Sequence, residues 1–526
     1  MKTRVIKILD TTLRDGTQMF GITFSAREKI EIAKKLDALG IDFIEGGFPG
    51  SNPRDAEFFE RAKKEKWKNA KICAFGATHH RKFSAENDPN LQKIVESGAP
   101  VAVIFGKSSR FHAVEILGIS PEKNLEIIEN SVKFLRSKKI RVIFDAEHFF
   151  DGFLENEKYA IATLKAAERG GAENLTLADT NGGALPKNIK IAIDAVQKII
   201  KTPLGIHAHN DGDLAVANSL AAVEAGAWLV QGTINGYGER TGNANLCSII
   251  PNLQLKMGIE VLPPENLKNL TAISHFVADL ATQNPRKDLP FVGDFAFSHK
   301  GGIHAAAMMK NPKSYQHIDP KTVGNTAHLS VSDLSGRANI RDFLKKHRID
   351  FSENDLPLFL KEIKNRENLG FSFEGAAASL EVLARHFLEK RDFPFEIRDF
   401  FVRTGQLAIA HNRDFGLEAT VRGFFKKNRH FHCVAGGSGP VNALDRALRK
   451  GLLPAFPILE KIQLTDFKVR IIDMNLGTSA KTRVLMESKN EKTGDIFRTV
   501  GCSENIIEAS FCALFDAFCF AIWREK

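Results

Sequence analysis

Cysteine is scarce in this chain, with six among 526 residues. They are scattered, and only Cys512 and Cys519 lie close together, on a segment of helical spacing. This pattern argues against a disulfide framework and for reduced thiols, the usage expected of a cytoplasmic protein. Long hydrophobic runs are missing as well: no stretch approaches the roughly 18 apolar residues of a membrane span. The start of the sequence, Met1-Lys-Thr-Arg-Val-Ile-Lys-Ile-Leu-Asp10, enters a β-rich run at once, so no cleaved leader is expected. Low-complexity tracts and short-period repeats are absent. A nucleotide phosphate loop is absent too. Ala435-Gly-Gly-Ser-Gly-Pro440 lacks the Gly-Lys-Ser/Thr ending and reads as a turn before a helix near Val441.

What the chain does have is length and apolar content. At 43% hydrophobic residues it can bury a large core, and its length calls for more than one domain. The formal charge of +10 invites a nucleic-acid reading. However, the basic residues are interspersed with acids and no nucleic-acid motif accompanies them, so neither nucleic acid nor membrane is an expected partner. Attraction of small anions is sufficient.

Through the first half, β-rich runs alternate with amphipathic helical stretches. The runs are 4–10, 41–46, 70–76, 100–105, 140–145, 174–179, 203–208 and 228–234. Several begin at a glycine that ends the preceding helix: Gly40, Gly98, Gly171 and Gly226. The first helix is marked by a Ser25/Glu28 capping box, by apolar Ile30, Ile32, Ala33, Leu36 and Leu39, and by Gly40 as its stop. Eight such repeats predict a closed (β/α)8 barrel, whose chemistry gathers at the carboxyl ends of the strands. Arg14 and Asp15 fall after the first strand, and Asp145 and Glu147 after the fifth. Asp179 and Thr180 follow the sixth, His207 and His209 end the seventh, and Asn235 and Asn243 follow the eighth. Strand residues two apart point the same way, so His207 and His209 can share one ion. With Asp15 and Asn243 they form a candidate divalent-metal set facing a small anion, with Mg2+, Mn2+ and Zn2+ all admissible. Each has a plainer reading: satisfied histidines, a turn acid, a turn-capping asparagine. Arg14 can simply pair with Glu45 or Asp145, Glu147 can be a structural acid, Thr180 a helix cap, and His148 structural. His79-His80 cannot both face one ion from a strand and reads as a surface loop.

Longer motifs sharpen this. They are Asp10-Thr-Thr-Leu-Arg-Asp-Gly16, Glu45-Gly-Gly-Phe-Pro-Gly-Ser-Asn-Pro53, Phe144-Asp-Ala-Glu-His-Phe-Phe-Asp-Gly152 and Ala178-Asp-Thr-Asn-Gly-Gly183. They continue with His207-Ala-His-Asn-Asp211, Gly238-Glu-Arg-Thr-Gly-Asn243, His299-Lys-Gly-Gly-Ile-His304, Asn311-Pro-Lys-Ser-Tyr-Gln-His-Ile-Asp-Pro320 and Thr499-Val-Gly-Cys-Ser-Glu-Asn-Ile-Ile-Glu-Ala-Ser510. This ordered series resembles the pyruvate-carboxyltransferase-like metal-dependent lyases and synthases, in the branch of 2-isopropylmalate, homocitrate and citramalate synthases. The citramalate-forming members match best. The resemblance implies a condensation of acetyl-CoA with a 2-oxo acid, pyruvate first, in isoleucine biosynthesis. It implies metal ligation by Asp15, His207, His209 and Asn243, and an Arg14 contact to the keto oxygen and forming alkoxide. Thr180 would hold the substrate carboxylate. It further implies that His304 and Tyr315 act in the partner subunit's site of a homodimer, with Glu147 the other acid/base candidate. Which of these groups takes the first proton stays open. An acid found in some members two positions after this histidine is Ala306 here. After Phe105-Gly-Lys-Ser108 the chain continues Ser109-Arg-Phe-His112, unlike the usual continuation in that branch.

Beyond the barrel the pattern changes. Pro263-Pro264 opens a helical stretch and Asn284-Pro-Arg-Lys-Asp-Leu-Pro290 reads as a connector. The expected domains are a catalytic barrel at 1–280, helical linker subdomains at 281–395, and an α+β regulatory and dimerisation domain at 396–526. The last should show β-runs at 396–402, 416–424, 466–473 and 481–488, and helices near 440–451 and 504–522. By resemblance it would bind isoleucine as a feedback inhibitor. Two other functions stay open: the same chemistry on another 2-oxo acid, and a regulatory paralogue without catalysis.

Overall fold

A computed structural model describes residues 6–299, 304, 307, 308, 310–329, 337–406, 415–425, 429–472 and 474–525. They fall into two compact units. One comprises the chain to Phe297 with His317–Ala327, the other Ser298–Gln316 with the chain from His328.

The first unit is a closed barrel of eight parallel strands: β1 (Lys7–Asp10), β2 (Phe43–Gly47), β3 (Lys71–Ala77), β4 (Val101–Lys107), β5 (Arg141–Glu147), β6 (Asn174–Asp179), β7 (Leu204–Ala208) and β8 (Leu229–Gly232). Closure pairs Lys7 with Leu229 and Asp10 with Gly232. The surrounding helices are α1 (Ala26–Leu39), α2 (Pro53–Ala62), α3 (Pro89–Glu96), α4 (Pro121–Ser137), α5 (Phe149–Gly170, broken at Asn156), α6 (Pro186–Gln197), α7 (Ala215–Ala225), α8 (Leu246–Pro251) and α9 (Leu270–Leu280). Both bonds of the Ser25/Glu28 capping box are formed. Gly40 ends α1 at φ 104°, and a Cβ there would meet Pro263 Cδ at 2.7 Å, so no other residue fits. The strands are buried on both faces, as parallel strands wrapped by helices must be. Leu9, Phe43, Cys73, Phe75, Val101, Val103, Ile143 and Leu229 cluster in the barrel's interior, while Ile8, Ile44, Ile72, Ala102 and Ile104 belong to the larger core beneath the helices. Each such buried aliphatic or aromatic side chain contributes about 1.5–3 kcal/mol. The fifth strand runs two residues past its expected end, so Asp145 and Glu147 lie in it. The His79-His80 expectation is corrected. His79 is buried, and its N–H donates to Ser131 Oγ at 2.9 Å; only His80 is exposed.

In the second unit, β9 (Ser298–His299) pairs in parallel with β10 (His328–Leu329). Helices α10 (Arg337–Lys346), α11 (Leu356–Asn368) and α12 (Ala377–Leu388) follow. Then a three-strand antiparallel sheet plus helix occurs twice: β11 (Phe395–Gln406), β12 (Phe415–Phe425), β13 (Arg429–Gly436) and α13 (Pro440–Leu452), then β14 (Ile462–Ile471), β15 (Thr482–Asn490), β16 (Ile496–Ser503) and α14 (Ile506–Arg524). The sequence predicted two strands per sheet. No residue of β13 is fully buried, so its apolar alternation is faint, and β16 was read only as part of a motif. One expectation was wrong outright. Helix α14, 19 residues with a mean hydropathy of 1.8, is by length and composition apolar enough to cross a membrane. Its Glu508, Asp516 and Arg524 interrupt the apolar run in the sequence. Ala509, Ala513, Ala517, Phe518 and Ile522 of α14 form part of the second unit's core.

Candidate metal centre and active site

Asp15, His207 and His209 converge at the carboxyl end of the barrel. One ligand atom from each lies within 4.8 Å of the others, and all three residues are buried. The elements dictate this. Asp15 stands in the turn directly after β1, whose neighbour across the closure is β8. His207 lies in β7, and His209, one residue beyond it, forms a backbone bridge with Asn243. His207 Nε2 is 3.3 Å and His209 Nε2 3.9 Å from Asp15 Oδ2, and the two Nε2 atoms are 3.1 Å apart. Asn243 Nδ2 donates to Asp15 Oδ2 at 2.7 Å, and its buried Oδ1 has no hydrogen-bond partner among the described residues. An acceptor left orphaned beside two imidazoles and a carboxylate suits a divalent ion. The residues present fit that group.

The surroundings fix charge and orientation. Burial alone would raise the Asp15 carboxyl, but the Arg14 guanidinium and both imidazoles hold it well below the usual range. Burial likewise opposes the His207 cation, yet the hydrogen bond and charge of Asp15 raise its pKa. Arg14 reaches Asp15 at 3.1 Å, donates through Nε to Glu45 Oε2 at 2.7 Å, and lies 3.7 Å over the Phe75 ring. Burial pushes the Glu45 carboxyl up to about 7 against the pull of Arg14. A chain of bonds runs behind His207: its Nδ1 is 2.9 Å from Gln231 Oε1, while Gln231 Nε2 donates to Asp145 Oδ1 at 2.8 Å and to Thr176 Oγ1 at 3.2 Å. Because Nε2 of Gln231 faces the carboxylate, its Oε1 must accept, and His207 Nδ1 carries the proton. This leaves His207 Nε2 facing Asp15. Arg240 forks onto both oxygens of Asp211 at 2.7 and 2.8 Å and also reaches the Thr180 carbonyl at 2.9 Å and His209 Nδ1 at 2.8 Å. It thereby ties together the loops after β6, β7 and β8.

Other expected residues stand farther out. Glu147, at the end of β5, is ion-paired with Lys107 at the end of β4. Thr180 caps no helix; its Oγ1 accepts from the His148 N–H at 2.8 Å. Asn235 is not at the centre but is bonded to Ser274 in α9. His304 and Tyr315 belong to the second unit, where their rings stack at 4.3 Å. Ala306 lies outside the described residues. Gln231 and Arg240 had no assigned role in the sequence. Gln231 carried one signal, a lone amide in an otherwise apolar buried strand, and Arg240 only its place in the Gly238–Asn243 motif.

Comparison with known proteins agrees in family and order. The HMGL-like family model matches residues 5–277, the homocitrate synthase post-HMGL domain-like model 291–369, and the LeuA allosteric (dimerisation) domain model 374–521. An (R)-citramalate synthase of Aquifex aeolicus is 48% identical over 99% of this chain and 98% of its own length. One of Geobacter sulfurreducens is 46% identical over 99% and 98%. A 2-isopropylmalate synthase of Methanocaldococcus jannaschii is 32% identical over 97% and 93%. The chain belongs to the HMGL-like family, among the relatives of the (R)-citramalate synthases.

Proposed function

We propose that this enzyme condenses acetyl-CoA with pyruvate and water to give (R)-citramalate and free CoA. Near full-length similarity to (R)-citramalate synthases, with the Asp15, His207 and His209 donor set intact, carries the reading. Asp15, His207 and His209 would hold one divalent ion, with Asn243 Oδ1 beside it. The chemistry such an ion supplies is orientation and polarisation of a 2-oxo acid's keto group. Arg14 places a fixed positive charge where the alkoxide develops. Thr180, whose oxygen already accepts from His148, keeps its own proton to donate to the substrate carboxylate. Three groups can take the methyl proton of acetyl-CoA: His304, Tyr315, and Glu147 beside Lys107. Hydrolysis of the thioester then makes the condensation effectively irreversible. Residues 1–280 are the catalytic domain in this reading, 281–395 supply His304 and Tyr315 to the partner's site of a homodimer, and 396–526 carry regulation. Mg2+, Mn2+ and Zn2+ all suit the donor set.

The same chemistry on a different acceptor is the second reading, favoured by the 2-isopropylmalate synthase relative. A thiol-release assay with acetyl-CoA across pyruvate, 2-oxoisovalerate and 2-oxoglutarate separates them. Pyruvate should give the largest kcat/KM. Preference for 2-oxoisovalerate would move the assignment to 2-isopropylmalate synthesis, and no release with any acceptor would indicate a regulatory paralogue.

A further inference from the structure

We propose that His148 is a positioning residue for Thr180, acting through its backbone N–H; this rests on the reading of Thr180 as the carboxylate's donor. His148 joins β5 to α5 with φ 58° and ψ 32°, in the left-handed region that residues other than glycine rarely adopt. Such conformations persist where the surroundings over-determine them, often at the rims of sites. In this one the N–H points at Thr180 Oγ1, 2.8 Å away. A hydroxyl oxygen occupied from that side has its own proton turned elsewhere, so the bond sets the direction in which Thr180 can donate.

Two contacts hold the turn. The His148 ring stacks on His112, with centroids 3.7 Å apart and planes 13° from parallel. Gly152, in the first turn of α5, lies so close to the loop after β4 that a Cβ would meet Ser108 O at 2.4 Å and Ser109 Cα at 2.7 Å. Gly152 N–H in turn donates to the His148 carbonyl at 2.9 Å. The loop bearing His112 is thus clamped against the turn bearing His148. Neither ring's Nδ1 has a hydrogen-bond partner among the described residues; an Asp151 carboxylate oxygen lies 3.9 Å from that of His148. Packing holds the imidazoles, and the bond to Thr180 is made by the backbone N–H. The side chain is a brace, and the backbone does the positioning.

The test uses the purified full-length enzyme with pyruvate and acetyl-CoA. Asparagine tolerates the left-handed region and valine does not. His148→Asn should keep KM for pyruvate within about twofold of the wild type. His148→Val should raise it about tenfold, the factor that about 1.4 kcal/mol carries. KM for acetyl-CoA and the affinity for Mn2+ should not move in either. Thr180→Val should raise KM for pyruvate by itself, and adding His148→Val to it should have no further effect, because both changes remove one interaction. The proposal is overturned if His148→Asn is as impaired as His148→Val, if the double variant is additive, or if His148→Val matches the wild type while Thr180→Val does not. An unchanged KM in Thr180→Val would instead sink the reading of Thr180, and the proposal with it. Should His148→Val fail to fold, judged by thermal unfolding, His148→Ala carries the same comparison.

Discussion

Replacing Gln231 with leucine is the sharpest probe of how the barrel presents His207. The side chain is fully buried and makes three contacts, to His207 Nδ1, Asp145 Oδ1 and Thr176 Oγ1. Leucine has similar bulk but no polar atoms, so the cavity stays filled. His207 then loses its acceptor and Asp145 its amide donor. Each buried group left unmet costs about 1–3 kcal/mol, so stability should fall by about 2–6 kcal/mol. At about 2–4 °C per kcal/mol for a domain of this size, the barrel should melt about 4–24 °C lower. Metal affinity should suffer separately. With no acceptor fixing its tautomer, His207 can turn the wrong nitrogen inward, and loss of such an outer partner weakens metal binding about 10–100-fold. The assays are differential scanning calorimetry and Mn2+ titration calorimetry on chelator-stripped protein. A leucine variant that binds Mn2+ within about threefold of the wild type and melts at the same temperature would refute the argument.

Other expectations follow from the same geometry. His209→Ala should weaken Mn2+ binding by more than about 100-fold and remove thiol release, with little change in the melting of stripped protein; retained metal-dependent turnover would reject the ligand assignment. Mixing inactive Arg14→Ala and His304→Ala protomers should restore part of the activity through hybrid sites, and no recovery despite proven subunit exchange would place catalysis within one chain. Burial pushes the Asp10 carboxyl up to about 7 against the two hydrogen bonds it accepts from Thr12. A raised carboxyl favours the protonated folded form. Wild-type stability relative to Asp10→Asn should therefore fall by at most about 1.4 kcal/mol per pH unit as pH rises from about 4 to about 7. Melting curves across that range should converge towards low pH; parallel curves would contradict the shift. Isoleucine should inhibit the full-length enzyme, with a coupling on the order of 1–3 kcal/mol, and truncation near residue 395 should abolish this. If no branched-chain amino acid binds by calorimetry, the segment has no such effector.

The barrel was legible because parallel strands under helices read as unbroken apolar runs, and glycines such as Gly40 and Gly171 mark where each helix stops. The convergence of the proposed donor set was legible for a related reason: His207 and His209 sit two apart at a strand end, and Asp15 follows another. What lies between those residues was not. Gln231 shows only as one amide in strand β8, because its partners Asp145 and Thr176 are 86 and 55 residues away. Strand β13 is faint in the sequence because α13 covers one face only partly, leaving no fully buried residue to reveal the period. Helix α14 is obscured for the opposite reason. Three charged residues interrupt a segment whose remaining positions are apolar nearly all round. The alternation of adjacent strand residues pointed to a surface loop at His79-His80, yet Ser131 on α4 gives the His79 backbone a buried partner.

The closure of the barrel has a consequence for its assembly. Asp15 follows the first strand and Asn243 the last, and their side chains meet across 228 residues of sequence. The donor set is therefore the zipper's final tooth. It cannot exist in any partly folded chain in which the two ends of the sheet are still apart. A contact that closes so long a loop is reached slowly, and an ion captured there rewards only the completed ring. At 100 times its dissociation constant such an ion would add about 2.7 kcal/mol to the closed state. Metal binding at this donor set, as proposed, would link metal supply to the folding yield of the barrel before any substrate arrives.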